Sequence, residues 1–344
     1  MIGDDVMVLV YGLIIFILLI LIYLIVIIFA PILKVEFQPI EIAKEPSIAP
    51  ENRENVTFKV NGLNISGWFY GVEGVSSCIV MSHGFNGTKD MELEKYALKF
   101  NQNGYSVLTY DYRFYGSSEG EPRQLYSGPS QLEDLKAAIS YARSREDVHD
   151  IILWGTSAAA SYGLVIASED HDITAVIAQC GAYDHKVDSK LYTKDLGMGF
   201  FLKLFVHGQR DKGRSRFGLS AHKYPAYGKA GSIAMISREG AVEGISLLAK
   251  NSTTFVNETC ARLALMPHIK DPIKASKDVN CPVMLLVCEE DNLVSPISHV
   301  RLLENLKEPI LKKYPVGHFE IYMGKWYEMA TDDMIQFLDG VNGE

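Results

Sequence analysis

The chain has 344 residues, 48% of them hydrophobic and 22% charged, with a formal net charge of −9. That composition excludes a disordered or fibrous protein and leaves room for at most two ordinary domains. The acidic balance and the lack of a basic run argue against nucleic acid as a partner.

The slightly positive mean hydropathy of +0.05 is concentrated at one end. Val6–Phe29 reads VMVLVYGLIIFILLILIYLIVIIF, without a charged residue. As a helix it would span roughly 36 Å, enough for a hydrocarbon core of about 30 Å with some tilt. A cleaved signal peptide would carry a basic start and a shorter apolar stretch, whereas here Met-Ile-Gly-Asp-Asp precedes a long one. The expectation is a single-pass membrane anchor over residues 1–30, in contact with the lipid bilayer. Asp4 and Asp5 flank it on one side and Lys34 and Lys44 follow on the other, so the positive-inside rule puts the remaining chain in the cytosol. Residues 31–55 carry Pro39, Pro46 and Pro50 among alternating charges and read as an extended tether.

The globular part is expected over residues 56–344. Residues 56–70 alternate apolar and polar around Asn61-Gly62, a hairpin signal. Short apolar runs follow at 77–82, 105–110, 151–154, 173–178 and 283–288, as in strands buried on both faces. Residues 91–101 and 131–143 have the apolar spacing of helices. Alternating strands and helices predict a mostly parallel, doubly wound α/β sheet. The stretch 181–280 is too long for an ordinary connection and is expected to be an inserted cap.

Five cysteines, Cys78, Cys180, Cys260, Cys281 and Cys288, form no C-x-x-C pair and are odd in number. Buried thiols are expected, with neither a disulfide framework nor a zinc site. The histidines form no H-x-x-x-H pair, and no metal or other cofactor is expected. The Asn-x-Ser/Thr patterns at Asn251 and Asn257 are too short to carry weight.

The chemistry is carried by four segments. After Val80-Met81-Ser82, the turn His83-Gly84-Phe85 would present the Phe85 backbone N–H to a reacting carbonyl. The run Ile-Ile-Leu-Trp leads into Gly155-Thr156-Ser157-Ala158-Ala159 and a helical stretch, a strand–turn–helix with Ser157 at its apex. Gly155 supplies the small residue needed where strand and helix backbones approach, and Ala159 stands where a second glycine is usual. Phe85 and Ala158 N–H groups are the candidate oxyanion hole. Past the strand at 283–288 come Glu289, Glu290 and Asp291, and Asp291 is the preferred orienting carboxylate with Glu290 as the alternative. Finally the turn Pro315-Val316-Gly317 leads to His318, the candidate general base.

These stretches, HGFNG, YDYRFYGSSEGEPR, LWGTSAAA, CPVMLLVCEEDNLVSP and YPVGHFEIYMG, resemble the α/β-hydrolase superfamily, in the region of dienelactone-hydrolase-like esterases and X-prolyl or serine aminopeptidases. The resemblance runs from Val56 to Leu338 and implies the α/β-hydrolase fold, with the triad order Ser157, Asp291, His318. Asp111 and Arg113 match a position that is usually structural in that family. Asn257-Glu258 and Ala261-Arg262 also look family-like, without an assigned role.

The expected activity is carboxylic-ester hydrolysis through an acyl-enzyme, with a small-molecule ester, such as an acyl lipid, as substrate. The apolar stretch Met198 to Phe205 could line an acyl pocket or simply pack a cap helix on the core. A serine aminopeptidase or amidase is the alternative, for which Asp184, Asp188 or Asp195 would have to bind an ammonium group. A binding module that has lost catalysis is the third reading. Oligomeric state leaves no mark in the sequence.

Overall fold

The computed structural model describes residues 2–30, 33–46 and 48–342; Pro31, where the expected tether begins, lies outside the described residues. In chain order the elements are α1 (Ile2–Phe29), β1 (Arg53–Val60), β2 (Leu63–Tyr70), β3 (Ser76–Ser82), α2 (Leu93–Gln102), β4 (Ser106–Tyr110), α3 (Gly128–Arg143), β5 (Val148–Thr156), α4 (Ala158–Ala167) and β6 (Ile173–Gln179). Then come α5 (His185–Leu196), α6 (Met198–Arg216), β7 (Lys223–Tyr224), α7 (Ala241–Ala249), β8 (Thr259–Cys260), α8 (Pro272–Ala275), β9 (Val283–Cys288), α9 (Ile297–Leu303), β10 (Ile310–Tyr314) and α10 (Gly324–Asn342).

Eight strands form one sheet in the order β1-β2-β4-β3-β5-β6-β9-β10. β1 and β2 pair antiparallel, β2 and β4 likewise, and every other neighbour is parallel. The first hairpin turns at Asn61 and Gly62, both with positive φ, as the Asn-Gly signal requires. The central strands β3, β4 and β9 are buried along their whole length, which explains their continuous apolar runs. One apolar layer, including Tyr96, Trp154, Met284 and Phe337, fills one face of the sheet. A second, including Tyr110, Leu153, Leu164 and Leu285, fills the other. This is the α/β-hydrolase fold.

Between β6 and β9, helices α5, α6 and α7 and the two-stranded β7–β8 ribbon interrupt the strand–helix alternation. Its end returns to the body: Ile273 of α8 is buried in the second core layer.

In α1, Val6–Phe29 is long and apolar enough to cross a membrane, and 6% of its most apolar window is buried. Its last turn docks on α6. Arg210 donates to the carbonyls of Ile27 and Ala30, the latter at 2.6 Å, and Arg214 donates to Ile28 O at 3.3 Å. Residues 33–46 have no regular secondary structure except a bend, yet Ala43 N–H donates to Ser252 O at 2.9 Å and Ile40 packs on the core. They are strapped to the body.

Candidate active site

The site lies at the carboxyl ends of β3, β5, β9 and β10, where the chain leaves the sheet and loops converge. β5 ends at Thr156, and Ser157 follows with φ 56° and ψ −121°, a strained conformation for a residue with a side chain. Its N–H donates to Gln179 O at 2.9 Å, and its carbonyl accepts from Ala160 and Ala182 N–H at 3.2 Å each. These bonds hold the serine at the apex of the turn, above the N-terminus of α4. A β-carbon on Gly84 would stand 2.9 Å from Ser157 Cβ, so the His83-Gly84 turn can pass this close only as glycine.

Phe85 and Ala158 both line the cavity that Ser157 faces. Tyr227 anchors the Phe85 peptide by donating its hydroxyl to Phe85 O at 2.7 Å. Ala158 N–H opens α4 and so belongs to the unpaired amides at a helix N-terminus, where partial positive charge accumulates.

The loops after β9 and β10 are zipped together by Glu289 N–H to Tyr314 O at 2.9 Å and Glu290 N–H to Val316 O at 3.0 Å. This brings Asp291 beside His318, whose Nδ1 is 2.6 Å from Asp291 Oδ2. The other carboxylate oxygen accepts the Leu293 and Val294 amides at 2.8 and 2.9 Å. The alternative, Glu290, is exposed. Burial pushes the His318 imidazolium down, but the Asp291 carboxylate beside it wins and leaves its pKa raised. His318 lines the same cavity as Ser157, without a hydrogen bond between the two side chains among the described residues.

The cavity measures about 770 Å³. The stretch proposed to line an acyl pocket does line it: Met198, Phe200, Phe201, Leu202, Leu204 and Phe205 contribute to its wall. Phe200 and Leu204 also form a small buried cluster with Tyr224, so lining and packing are both served. Of the acids considered for binding an ammonium group, Asp184 is paired with Arg301 and caps α5, and Asp195 is paired with Arg238. Asp188 lines the cavity, but it accepts the Ser295 amide at 2.9 Å and burial pushes its carboxyl up to about 6.

Two supports were not foreseen. Asp90 accepts from Thr88 and Ser252 hydroxyls at 2.6 and 2.7 Å and from Thr253 N–H at 2.8 Å, and Asn86 Nδ2 donates to Val256 O at 2.9 Å. Together they bind the Phe85 loop to the 252–256 segment. The family-like run without a role turns out to brace the insertion. Asn257 bonds the Tyr227 backbone on both sides at 2.9 Å, and Arg262 pairs with the buried Asp211 at 2.7 Å.

The family model described as serine aminopeptidase, S33, matches residues 74–323, most of the chain. The chain belongs to the S33 family. It is a hydrolase of the α/β fold, as the resemblance in its motifs implied. The proteins it is similar to differ widely in the activities their names give. The chain is 33% identical over 303 residues to the quorum-quenching protein AidA of Acinetobacter baumannii, covering 86% of this chain and 98% of that one. It is 28% identical to the polyketide transferase af380 of Aspergillus fumigatus, over 83% and 98% of the two chains. Among solved structures, DcsB in complex with a substrate analogue superposes with a TM-score of 0.69 at 24% identity, covering 85% of this chain and all of that one. Ferulic-acid-bound Est1E of Butyrivibrio proteoclasticus superposes at 0.58 with 14% identity, over 84% and 100% of the two chains, a likeness of fold.

Proposed function

We propose that this S33-family chain is a membrane-anchored serine hydrolase that cleaves carboxylic esters through Ser157, His318 and Asp291. The observation that carries the reading is the 2.6 Å Asp291–His318 pair facing the cavity wall on which the strained Ser157 sits. His318 Nε2 takes the Ser157 proton as Oγ attacks the ester carbonyl, and the Phe85 and Ala158 N–H groups hold the oxyanion. Asp291 keeps Nδ1 protonated and stabilises the imidazolium, which then gives its proton to the departing alcohol. Water, deprotonated by His318, resolves the acyl-enzyme and frees Ser157.

The apolar wall supplied by α6 supports an acyl substrate, and residues 181–280 are read as the cap that encloses it. Esters are preferred over N-terminal amines because Asp184 and Asp195 are ion-paired and Asp188, the one of the three on the cavity wall, already accepts the Ser295 amide. Val6–Phe29 is read as the anchor, with the hydrolase part in the cytosol.

The test uses the full chain in detergent micelles with a fluorophosphonate probe and p-nitrophenyl esters. Labelling and turnover that vanish in Ser157→Ala are expected. No labelling of folded protein would favour a binding module, and faster turnover of a peptide p-nitroanilide would overturn the ester choice. A reporter fused after Glu344 and found outside the cytosol would overturn the orientation.

A further inference from the structure

Helix α6 joins the cavity to the foot of α1. Its first turns carry Met198, Leu202 and Phe205, which are 70, 63 and 47% exposed and also line the cavity. A residue that both lines a cavity and faces solvent stands on its rim, so the cavity opens along this side of α6. The spacing i, i+4, i+7 puts the three on one stripe. Lys212 and Arg216, at i+7 and i+11 from Phe205, continue that stripe with exposed cations.

The other end of α6 holds the end of α1. A β-carbon on Gly213 would lie 2.6 Å from Ile28, and the rings of Phe29 and Phe217 are 5.4 Å apart. Gly213 follows Phe205 by about 12 Å along the helix. Where α1 ends, a spanning helix meets the headgroup layer, so the cations beside Gly213 stand at that level and the apolar stripe begins no more than about 12 Å from it. Exposed apolar side chains followed by lysine and arginine match an anionic bilayer surface in both chemistries. The only acid on α6, Asp211, is buried against Arg262 and does not oppose that charge.

We propose that α6 lies on an anionic lipid surface and that the cavity mouth opens into it, so that acyl substrates enter from the leaflet. This rests on the membrane-anchor reading of α1.

The experiment places an environment-sensitive NBD label at Leu202→Cys or Phe205→Cys, with Lys136→Cys on α3 as the reference, in the full chain. The background carries Cys281→Ser, since Cys281 alone among the five cysteines is not buried. The chain is reconstituted in mixed phosphatidylcholine and phosphatidylglycerol vesicles, and emission is quenched either by lipid-borne nitroxide or by aqueous iodide. Lipid nitroxide is expected to cut emission roughly twofold at positions 202 and 205 and to leave 136 unchanged. If the chain floats with the vesicles but 202 and 205 answer only to iodide, the proposal falls while the anchor stands. A blue shift without lipid quenching would mean a second copy covers the stripe, which also overturns it. A chain that does not float sinks the anchor and this proposal together, whereas Ser157 labelling decides the hydrolase reading separately.

Discussion

A β-carbon on Gly155 would lie 2.4 Å from the Ala159 carbonyl oxygen and 2.6 Å from its carbonyl carbon. These are backbone atoms at the start of α4 and cannot rotate away, so the strand and helix meet here only because Gly155 has no side chain. Gly155→Ala is expected to cost about 3 kcal/mol in urea unfolding. Ala159→Gly should cost at most about 1 kcal/mol, a helix-propensity loss, and keep fluorophosphonate labelling of Ser157. Equal losses would show that the second small residue matters as much as the first.

Asp291→Asn is expected to lower kcat about 10⁴-fold with the fold intact, because the asparagine amide cannot hold the imidazole in the working tautomer. Glu290 contributes its backbone N–H and an exposed side chain, so Glu290→Gln should stay near the parent rate. A larger loss in Glu290→Gln would transfer the orienting role.

The raised pKa of His318 sets the sign of the pH dependence. The general base must be neutral, so a raised pKa postpones activity to higher pH. The acidic limb of kcat/KM is expected above pH 6.5, the ordinary histidine value. In Asp291→Asn burial remains and the carboxylate is gone, so the residual limb should move below pH 6.5. A limb that stays in place in the variant would mean another group controls it.

Lys89 Nζ stands 2.5 Å from Asp111 Oδ2, and both side chains are buried. Lys89→Met would leave the Asp111 charge with only its amide donors, Lys89 N–H at 2.7 Å and Ser117 N–H at 2.8 Å. We expect a loss of about 3 kcal/mol in urea unfolding. An unchanged midpoint would show that the amides suffice.

Gly199 lines the cavity and has open space where a β-carbon would sit. Gly199→Trp should fold normally and fill part of the acyl wall. In a series of p-nitrophenyl esters the preferred acyl chain is expected to shorten, with long-chain kcat/KM falling about tenfold, roughly 1.4 kcal/mol. An unshifted series would place the acyl chain elsewhere.

Much of this was legible in residue order. The buried strands announced themselves as apolar runs, and the Asn61-Gly62 turn and the small residues around Ser157 are local requirements with local marks. His318 stood out as the candidate base through its place after β10. The preference for Asp291 over Glu290 could not be closed from adjacent letters, because the choice depends on which carboxylate turns inward beneath the Leu293 and Val294 amides. Invisible altogether was Asp90 binding Ser252 across 162 residues, since such contacts impose no periodicity. Equally unmarked was how residues 33–46 meet the body, since Ile40 and Ala43 are held by surfaces that exist only after folding.

That strap bears on the anchor proposed for α1. With Arg210 gripping the last turn of α1 and Ala43 bonded to Ser252, the hydrolase does not swing on a leash through a hemisphere of solvent. It keeps one height and one heading. On the membrane-anchor reading of α1 proposed above, the governing substrate quantity would be moles per unit of membrane area, and diluting the suspension at constant lipid composition would leave turnover unchanged.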